Sequence, residues 1–453
     1  MSIEHRSARA ARPHASSPDE VRRVTLSAFL GNTIEIYDFI LYGSAAALFI
    51  GPLFFSGLSP ALGTLVSFAT LATGYIARPL GGIVLGHLGD RVGRKPVLLL
   101  TMLTMGVGSG LIGVLPTYAQ IGVAAPLLLV FLRLVQGFAI GGEWGGAALL
   151  TAEHAPDGRR GFITAIAQSG FPLGSLLSVL AMAAVSLLPQ GQLMSWGWRL
   201  PFLVSFVMLG LGLYVRGRIS ESPLFDELEA TARRRRRPVA QVLRRPGALL
   251  RGVAATIPPV MCAVLFGSFA VSYAVGIGYN RSEVLVALAI AWAASMLTTP
   301  LYGMLSDRIG RRPVYLFGAI GLAVLAFPVF WAINSGSGVL LVISLVVVFA
   351  VISSAMSGHL AALLSEMFTT EVRYTGVSLS YQVANIIAGF TPLLAGSLLA
   401  LAGGGRNIGL ICAFVAGIAL LAAAAAGLWM GSGGSSLRSP QIASESEPEA
   451  TLS

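Results

Sequence analysis

The stretch Gly86-His-Leu-Gly-Asp90-Arg91-Val-Gly93-Arg94-Lys95 recurs as Gly303-Met-Leu-Ser-Asp307-Arg308-Ile-Gly310-Arg311-Arg312. Gly303, Asp307 and Arg311 each stand 217 residues after Gly86, Asp90 and Arg94. A second pair follows the same rule with a small length change: Glu153 precedes Arg160 by seven residues and Glu366 precedes Arg373 by seven, at an offset of 213. Both motifs sit between long apolar runs. The chain has 453 residues, 55% hydrophobic and 11% charged, against about 25% charged in soluble domains. A soluble core could not absorb this much apolar surface, so the class is a polytopic membrane protein. A span needs about 20 mostly apolar residues. Twelve such runs are present, near 25–50, 62–84, 97–115, 124–150, 162–187, 200–216, 252–276, 284–304, 314–333, 339–363, 374–400 and 407–430. The predicted fold is all-α, with twelve transmembrane helices in two six-helix bundles, 24–216 and 252–430, related by the repeat.

Arginine placement sets the orientation. Arg6, Arg9, Arg12, Arg22 and Arg23 lie in the tail 1–23, which is polar and lacks the short apolar core of a signal peptide. Arg91, Arg94, Lys95, Arg159, Arg160, Arg308, Arg311, Arg312 and Arg373 fall on the same side, as does the Arg233–Arg237 run in the central loop 217–251. The opposite loops carry Arg199, Arg281 and Arg406. Both termini are therefore expected in the cytoplasm. The 431–453 tail, Gly/Ser-rich and then acidic, is expected to be disordered. The net charge of +10 resides in these loops, where it serves topology and lipid headgroups; a nucleic-acid partner is not expected. Arginine supplies nearly all the basic charge, with Lys95 the only lysine, which suggests a GC-rich bacterial genome and a bacterial cell membrane. Cys262 and Cys412, far apart in apolar runs, read as core filler without disulfide or metal spacing.

Five charged side chains lie inside the spans: Glu35, Asp38, Arg78, Arg133 and Glu143. A charge at the bilayer centre costs at least about 2.5–3.5 kcal/mol, so such residues face the bundle interior or a water-filled path. Glu35 and Asp38 share a helix face about halfway across, with Tyr42 one turn on. Arg78 lies twelve residues before Asp90, also near the midplane, and Arg133 precedes Gln136 on one face. One reading is a set of structural ion pairs tying spans one, two and four together. The functional reading is favoured for at least one acid, because three carboxylates face two arginines: Asp38 or Glu35 carries a proton, Arg133 tunes it, and Glu143 is the alternative carrier. An anionic substrate is expected near Arg78 or Arg133, with Tyr42, Gln136 and Gln168 as further binding candidates. The second half has no charged residue inside its spans and one histidine, His359, read as a hydrogen-bonded packing residue. It is expected to supply shape through Tyr273, Tyr381, Gln382 and Asn385. Tyr381 stands at the repeat position of Gln168. No metal or cofactor site and no nucleophile–base pair is evident, so an enzyme is not expected.

The Gly-x-x-x-Asp-Arg-x-Gly-Arg-Arg/Lys motif resembles the signature of the major facilitator superfamily. Glu35-Ile-Tyr-Asp-Phe39, Arg78-Pro-Leu-Gly-Gly82, Arg133-Leu-Val-Gln-Gly137, Gly141-Gly-Glu-Trp-Gly-Gly146, Trp196-Gly-Trp-Arg-Leu-Pro-Phe202 and Glu221-Ser-Pro-Leu-Phe225 resemble its metabolite:proton symporter branch, which includes shikimate, α-ketoglutarate, citrate and proline/betaine permeases. The likeness covers roughly residues 20–430, and 59–156 looks closest to shikimate-permease-like members. Ile36, where the branch usually has an aromatic, and Ala388-Gly389, a reduced glycine-rich step, depart from the pattern and leave the substrate unnamed. The resemblance implies uptake of a small organic acid by proton symport through alternating access, with the chain acting as a monomer. A proline/betaine-type zwitterion is the alternative. A drug:proton antiporter is less favoured, since Ser169-Gly-Phe-Pro-Leu-Gly-Ser175 lacks the antiporter glycine–proline motif. It also implies a cytoplasmic latch made by Gly86, Asp90, Arg91, Gly93, Arg94, Gly303, Asp307, Arg308, Gly310 and Arg311, with Glu153, Arg160, Glu366 and Arg373.

Overall fold

A computed structural model describes residues 17–92, 94–141, 144–156, 158–217, 242–244, 246–369 and 372–429. All its regular elements are helical. The long ones are α1 (Pro18–Phe54), α2 (Pro60–Val92), α3 (Arg94–Val114), α4 (Ala124–Ile140), α5 (Trp144–His154), α6 (Arg160–Ser186) and α7 (Leu200–Gly217) in the first half. The second half has α8 (Pro246–Gly276), α9 (Arg281–Ile309), α10 (Arg311–Asn334), α11 (Gly338–Met367), α12 (Arg373–Gly389, continued by Thr391–Leu401) and α13 (Gly409–Trp429). Ten helices are long and apolar enough to cross a membrane, and Leu99–Val114 and Ala124–Ile140 are shorter apolar helices.

The helices overrun the apolar windows because capping extends them. α1 starts at Pro18, inside the stretch read as a tail, where the Ser17 hydroxyl accepts from Glu20 N at 3.2 Å and proline occupies the first turn. Span four is broken: α4 ends at a turn at Gly141 and α5 resumes at Trp144. Asp90 and Asp307, read as loop residues, lie in the last turns of α2 and α9. In the second copy the loop shrinks to Gly310 at φ +93°, a conformation that favours glycine and separates α9 from α10.

The repeat governs the packing. In the first half α1 packs on α6, α2 on α4 and α3 on α7; in the second, α8 packs on α12, α9 on α11 and α10 on α13. The halves meet crosswise, α6 against α9 and α2 against α12. The first helix of each half carries a π-turn at a matching place, Ala46–Ile50 in α1 and Leu265–Phe269 in α8, the kind of local unwinding often found at functional sites.

α2 and α4 cross backbone to backbone. A Cβ on Gly137 would stand 1.9 Å from the Gly74 carbonyl oxygen, one on Gly81 1.8 Å from that of Phe138, and one on Gly141 1.9 Å from that of Arg78. Glycine stripes of this kind let membrane helices approach where lipid offers no hydrophobic drive. The crossing holds both buried arginines, Arg78 and Arg133, between the two helices and α1. Gly137→Val is therefore expected to destabilise the protein by about 1–3 kcal/mol or more. It should read as a lower melting temperature in detergent; an unchanged melting temperature would contradict the crossing.

Candidate functional site

Arg133 is fully buried and Arg78 is 4% exposed. Both guanidinium groups lie over the Phe39 ring of α1, with Cζ 4.1 Å from its centroid for Arg78 and 5.0 Å for Arg133. Arg78 also covers Tyr75 at 4.6 Å, and Arg133 covers Tyr42 at 4.0 Å. Cation–π contacts of this type contribute about 0.5–2 kcal/mol each. The hydrogen bonds are to neutral amides: Arg78 Nη1 donates to Asn385 Oδ1 at 2.9 Å, and Arg133 Nη1 to Gln136 Oε1 at 3.0 Å. Arg78 Nε, Arg133 Nε and Arg133 Nη2 have no hydrogen-bond partner among the described residues. Neither arginine forms a salt bridge among the described residues, so the ion-pair reading is not met there.

Asp38, 3% exposed, sits on the same helix face as Tyr42, and its Oδ1 has no hydrogen-bond partner among the described residues. The hydroxyls of Ser109 (α3) and Ser205 (α7) are its side-chain neighbours, and Arg133 acts on it through space. Glu35 is half-buried, and Tyr381 stands near Arg78 and Asn385, within the field of the Glu35 charge. Glu35 and Asp38 both line a crevice between α1, α3 and α7 of about 10 Å³, at the lower limit for one water. Tyr42 bonds Thr70 at 2.6 Å, and Gln136 Nε2 donates to Ser109 Oγ at 2.6 Å.

The structure thus brings together Asp38, Tyr42, Arg78, Arg133, Gln136, Tyr381 and Asn385, with Glu35 at their edge. The Arg78–Asn385 bond joins the two halves, and Asn385 is held by its own bond to Tyr381 O at 2.8 Å. Gln382 joins the halves again by donating to Gly141 O at 2.7 Å. Tyr273 belongs to a different cluster: its hydroxyl donates to Asn334 and its ring stacks on Phe269. Gln168 is half-buried on α6. Glu143 lies outside the described residues. His359 is buried edge-on against Tyr315, a packing position, and neither ring nitrogen has a hydrogen-bond partner of good geometry among the described residues. Phe39, Tyr75, Ser109 and Ser205 were not singled out from the sequence. Tyr75 precedes Arg78 by three residues and Phe39 follows Asp38, spacings that would have flagged both rings.

The second copy of the motif ties the two halves together. Asp307 accepts from the free backbone N–H groups of Gly161 and Phe162, both at 2.8 Å, capping α6 from the other half. Arg311 braces that carboxylate at 2.7 Å and reaches Glu366 at 3.4 Å. Glu153 of the first half meets Arg373 of the second at 3.6 Å. Gly161 and Gly303 allow the approach; a Cβ on either would come within 2.6 Å of the other's carbonyl oxygen. Arg308 ends α9 beside these contacts. Gly93 lies outside the described residues, as do the side chains of Asp90, Arg91 and Arg94 and the surroundings of Gly86.

The sugar (and other) transporter family matches residues 24–246 and 226–428. The shikimate transporter of Escherichia coli K12 is 39% identical over 403 residues, spanning 85% of this chain and 91% of the relative. The inner membrane metabolite transport protein YhjE of the same organism is 37% identical, spanning 88% and 92%. The proline/betaine transporter of E. coli K12 is 33% identical, spanning 84% and 78%. Among solved structures, a D-xylose-proton symporter superposes with a TM-score of 0.69 at 20% identity, covering 90% of this chain and 96% of the other. The partially occluded inward-open xylose transporter XylE from E. coli gives 0.68 at 21% identity, covering 89% and 96%. The chain belongs to the sugar (and other) transporter family of the major facilitator superfamily, and it is a multi-pass membrane transporter, not an enzyme.

Asp307→Ala removes both caps on α6. Charge-assisted hydrogen bonds contribute about 1.5–3 kcal/mol each, so maleimide labelling of a cysteine placed at Ser378, which faces Gly145 across the halves, is expected to rise at least about tenfold. Unchanged labelling would mean that Asp307 does not lock the halves.

Proposed function

We propose that this family member takes up a small organic acid together with a proton, by alternating access between its two halves, as a single chain in a bacterial cell membrane. The observation that carries this reading is the pair of buried arginines whose guanidinium groups have ring and amide partners but no carboxylate partner among the described residues. A buried cation without a counter-charge is costly. A substrate carboxylate arriving beside Arg78 supplies one, and bidentate geometry makes that recognition selective. Arg78 reaches Asn385 across the halves, so an anion bound there touches both bundles.

The twelve-span arrangement with both termini in the cytoplasm is part of the same proposal. It is supported by the ten long and two shorter apolar helices and by the arginine-rich loops on one side. The repeat-matched motifs then form the cytoplasmic lock. Asp38 is the proton carrier, with Arg133 setting its field and Glu35 at the crevice mouth; Glu143 and Gln168 remain on the candidate list for the path and the cavity wall. One proton entering from outside with a monocarboxylate leaves the cycle neutral, and protons in excess of the carboxylate charge make it positive. Where it is positive, the membrane potential adds about 2.3 kcal/mol per charge per 100 mV.

Relatives named for proline and betaine make a zwitterion the competing substrate. A quaternary ammonium binds best in an aromatic cage. Here faces of Phe39, Tyr75 and Tyr42 are covered by Arg78 and Arg133, which favours the acid.

Arg78→Ala is expected to lower kcat/KM for carboxylate uptake by about 10²-fold or more, the scale of losing one member of a buried charge pair. Radiolabelled shikimate and α-ketoglutarate taken into proteoliposomes supply the readout; unchanged uptake would remove Arg78 from the site. Asp38→Asn is expected to abolish acid-driven accumulation while exchange of the same compound across the membrane persists. Retained acid-driven accumulation would move the proton elsewhere.

A further inference from the structure

We infer that Trp292 is a substrate-contacting residue: its indole N–H donates to an oxygen at the end of the acid remote from the carboxylate at Arg78, so the cargo is a carboxylic acid that carries hydroxyl groups. This rests on the organic-acid reading above. The internal repeat marks the position. The motif offset of 217 takes Tyr75 to Trp292 and Arg78 to Ser295. Tyr75 is the ring that Arg78 covers, and it stands where α2 meets α12, against Gly389. Trp292 is its counterpart where α9 meets α6, with its ring centroid 5.7 Å from that of Phe171. The two seams between the halves therefore carry matching rings. Along the second seam, Phe171 lies ten residues from Gly161, and Trp292 lies eleven from Gly303, the two glycines that meet beside Asp307. That is about 15 Å of helix, half of a hydrocarbon core of about 30 Å. Transporters built from repeated halves bind their cargo at that depth, between the halves.

Trp292 is 2% exposed, and its Nε1 has no hydrogen-bond partner among the described residues. An indole N–H only donates, and a buried one usually finds an acceptor. Trp198 Nε1 also lacks a partner among the described residues, but its ring is enclosed by Phe54 and Phe202 of its own half. Trp292 instead faces the other half, at the repeat position of the ring that carries Arg78. A ligand between the halves has a guanidinium at one seam and an indole N–H at the other. The first takes a carboxylate. The second takes a hydroxyl oxygen and gains nothing from a bare methylene.

The indole is held from behind. The Phe349 ring lies 4.0 Å away by centroid, on the π-turn Val347–Ser353 of α11, and such turns are frequent at functional sites. Ser354 donates to the Phe349 carbonyl at 2.9 Å. With that donor position used, the Ser354 oxygen accepts from Ser295 at 2.9 Å and from Thr298 at 3.1 Å, both on α9. The π-turn is thereby pinned to the helix that carries Trp292, one turn from the indole. In front stands Phe171, half-buried, with Gln168 one turn before it on the same face of α6. Parting of α6 from α9 in the transport cycle bares the indole to the space between the halves.

The test uses full-length protein in proteoliposomes and reads the half-saturating concentration in counterflow, which needs no net proton movement. The probes are radiolabelled shikimate and cyclohex-1-ene-1-carboxylate, the same ring acid without its hydroxyls. Trp292→Phe keeps an aromatic ring and removes the N–H. It is expected to raise the half-saturating concentration of shikimate about tenfold, the scale of one buried hydrogen bond. The value for the hydroxyl-free acid and the pH profile of uptake are expected to stay as in the parent. An unchanged value for shikimate, or an equal rise for both acids, overturns the role of the N–H. Should Trp292→Phe fail to fold, the parent protein decides: its half-saturating concentration is expected to be at least about tenfold lower for shikimate than for the hydroxyl-free acid, and equal values overturn the inference. A parent that carries neither acid overturns the organic-acid reading itself, and the inference with it.

Discussion

Two guanidinium groups share the ring of Phe39 deep in a membrane protein, without a carboxylate partner among the described residues. Hydrocarbon penalises such an arrangement, and soluble or membrane interiors normally answer a buried cation with an anion. Here the answer is partial: three ring faces and two amides. The remaining electrostatic demand underlies the proposal that the site receives a negative ligand, and Arg78 already bonds Asn385 of the second half.

Everything around the arginines serves to keep them in that position. The glycines of α2 and α4 bring the two helices to backbone contact, which leaves the long side chains of Arg78 and Arg133 nowhere to go but onto α1. Tyr42 is fixed by Thr70 and Tyr37 by the carbonyl of Pro201, so the aromatic platform is itself held by hydrogen bonds. On other helices Asp307, Arg311, Glu366, Glu153 and Arg373 tie the two halves together. These residues sit at helix ends, where unsatisfied N–H groups make a carboxylate worth most. A transporter with such a lock can open on that side only by giving up several charged contacts together, which suits a two-state switch.

Much of this was legible in the chain. The 217-residue offset announced two related halves, and the structure repeats three helix pairings in each. Arg78, Arg133 and Asp38 stood out because charge is rare in apolar runs, and they do converge. The partners were less legible. An ion pair was the alternative reading for the arginines; of the partners found, Gln136, Tyr42 and Asn385 were on the candidate list, and Phe39 and Tyr75 were not, since only their spacing from Asp38 and Arg78 marks them among many aromatic residues in apolar segments. The crossing of Glu153 to Arg373 was hidden for another reason: the repeat reveals equivalence between halves, while contact between halves depends on how the two bundles dock. Helix bounds slipped where a cap such as Ser17 or a break such as Gly141 outweighed hydropathy.

The most direct test of the two-arginine site loads proteoliposomes with a pH-sensitive dye and adds small carboxylates, betaines and lipophilic cations one at a time. Acidification of the lumen with a carboxylate, and none with betaine, is the result expected of a site built to receive an anion together with a proton. Acidification with betaine alone, or alkalinisation driven by a cation, would contradict it.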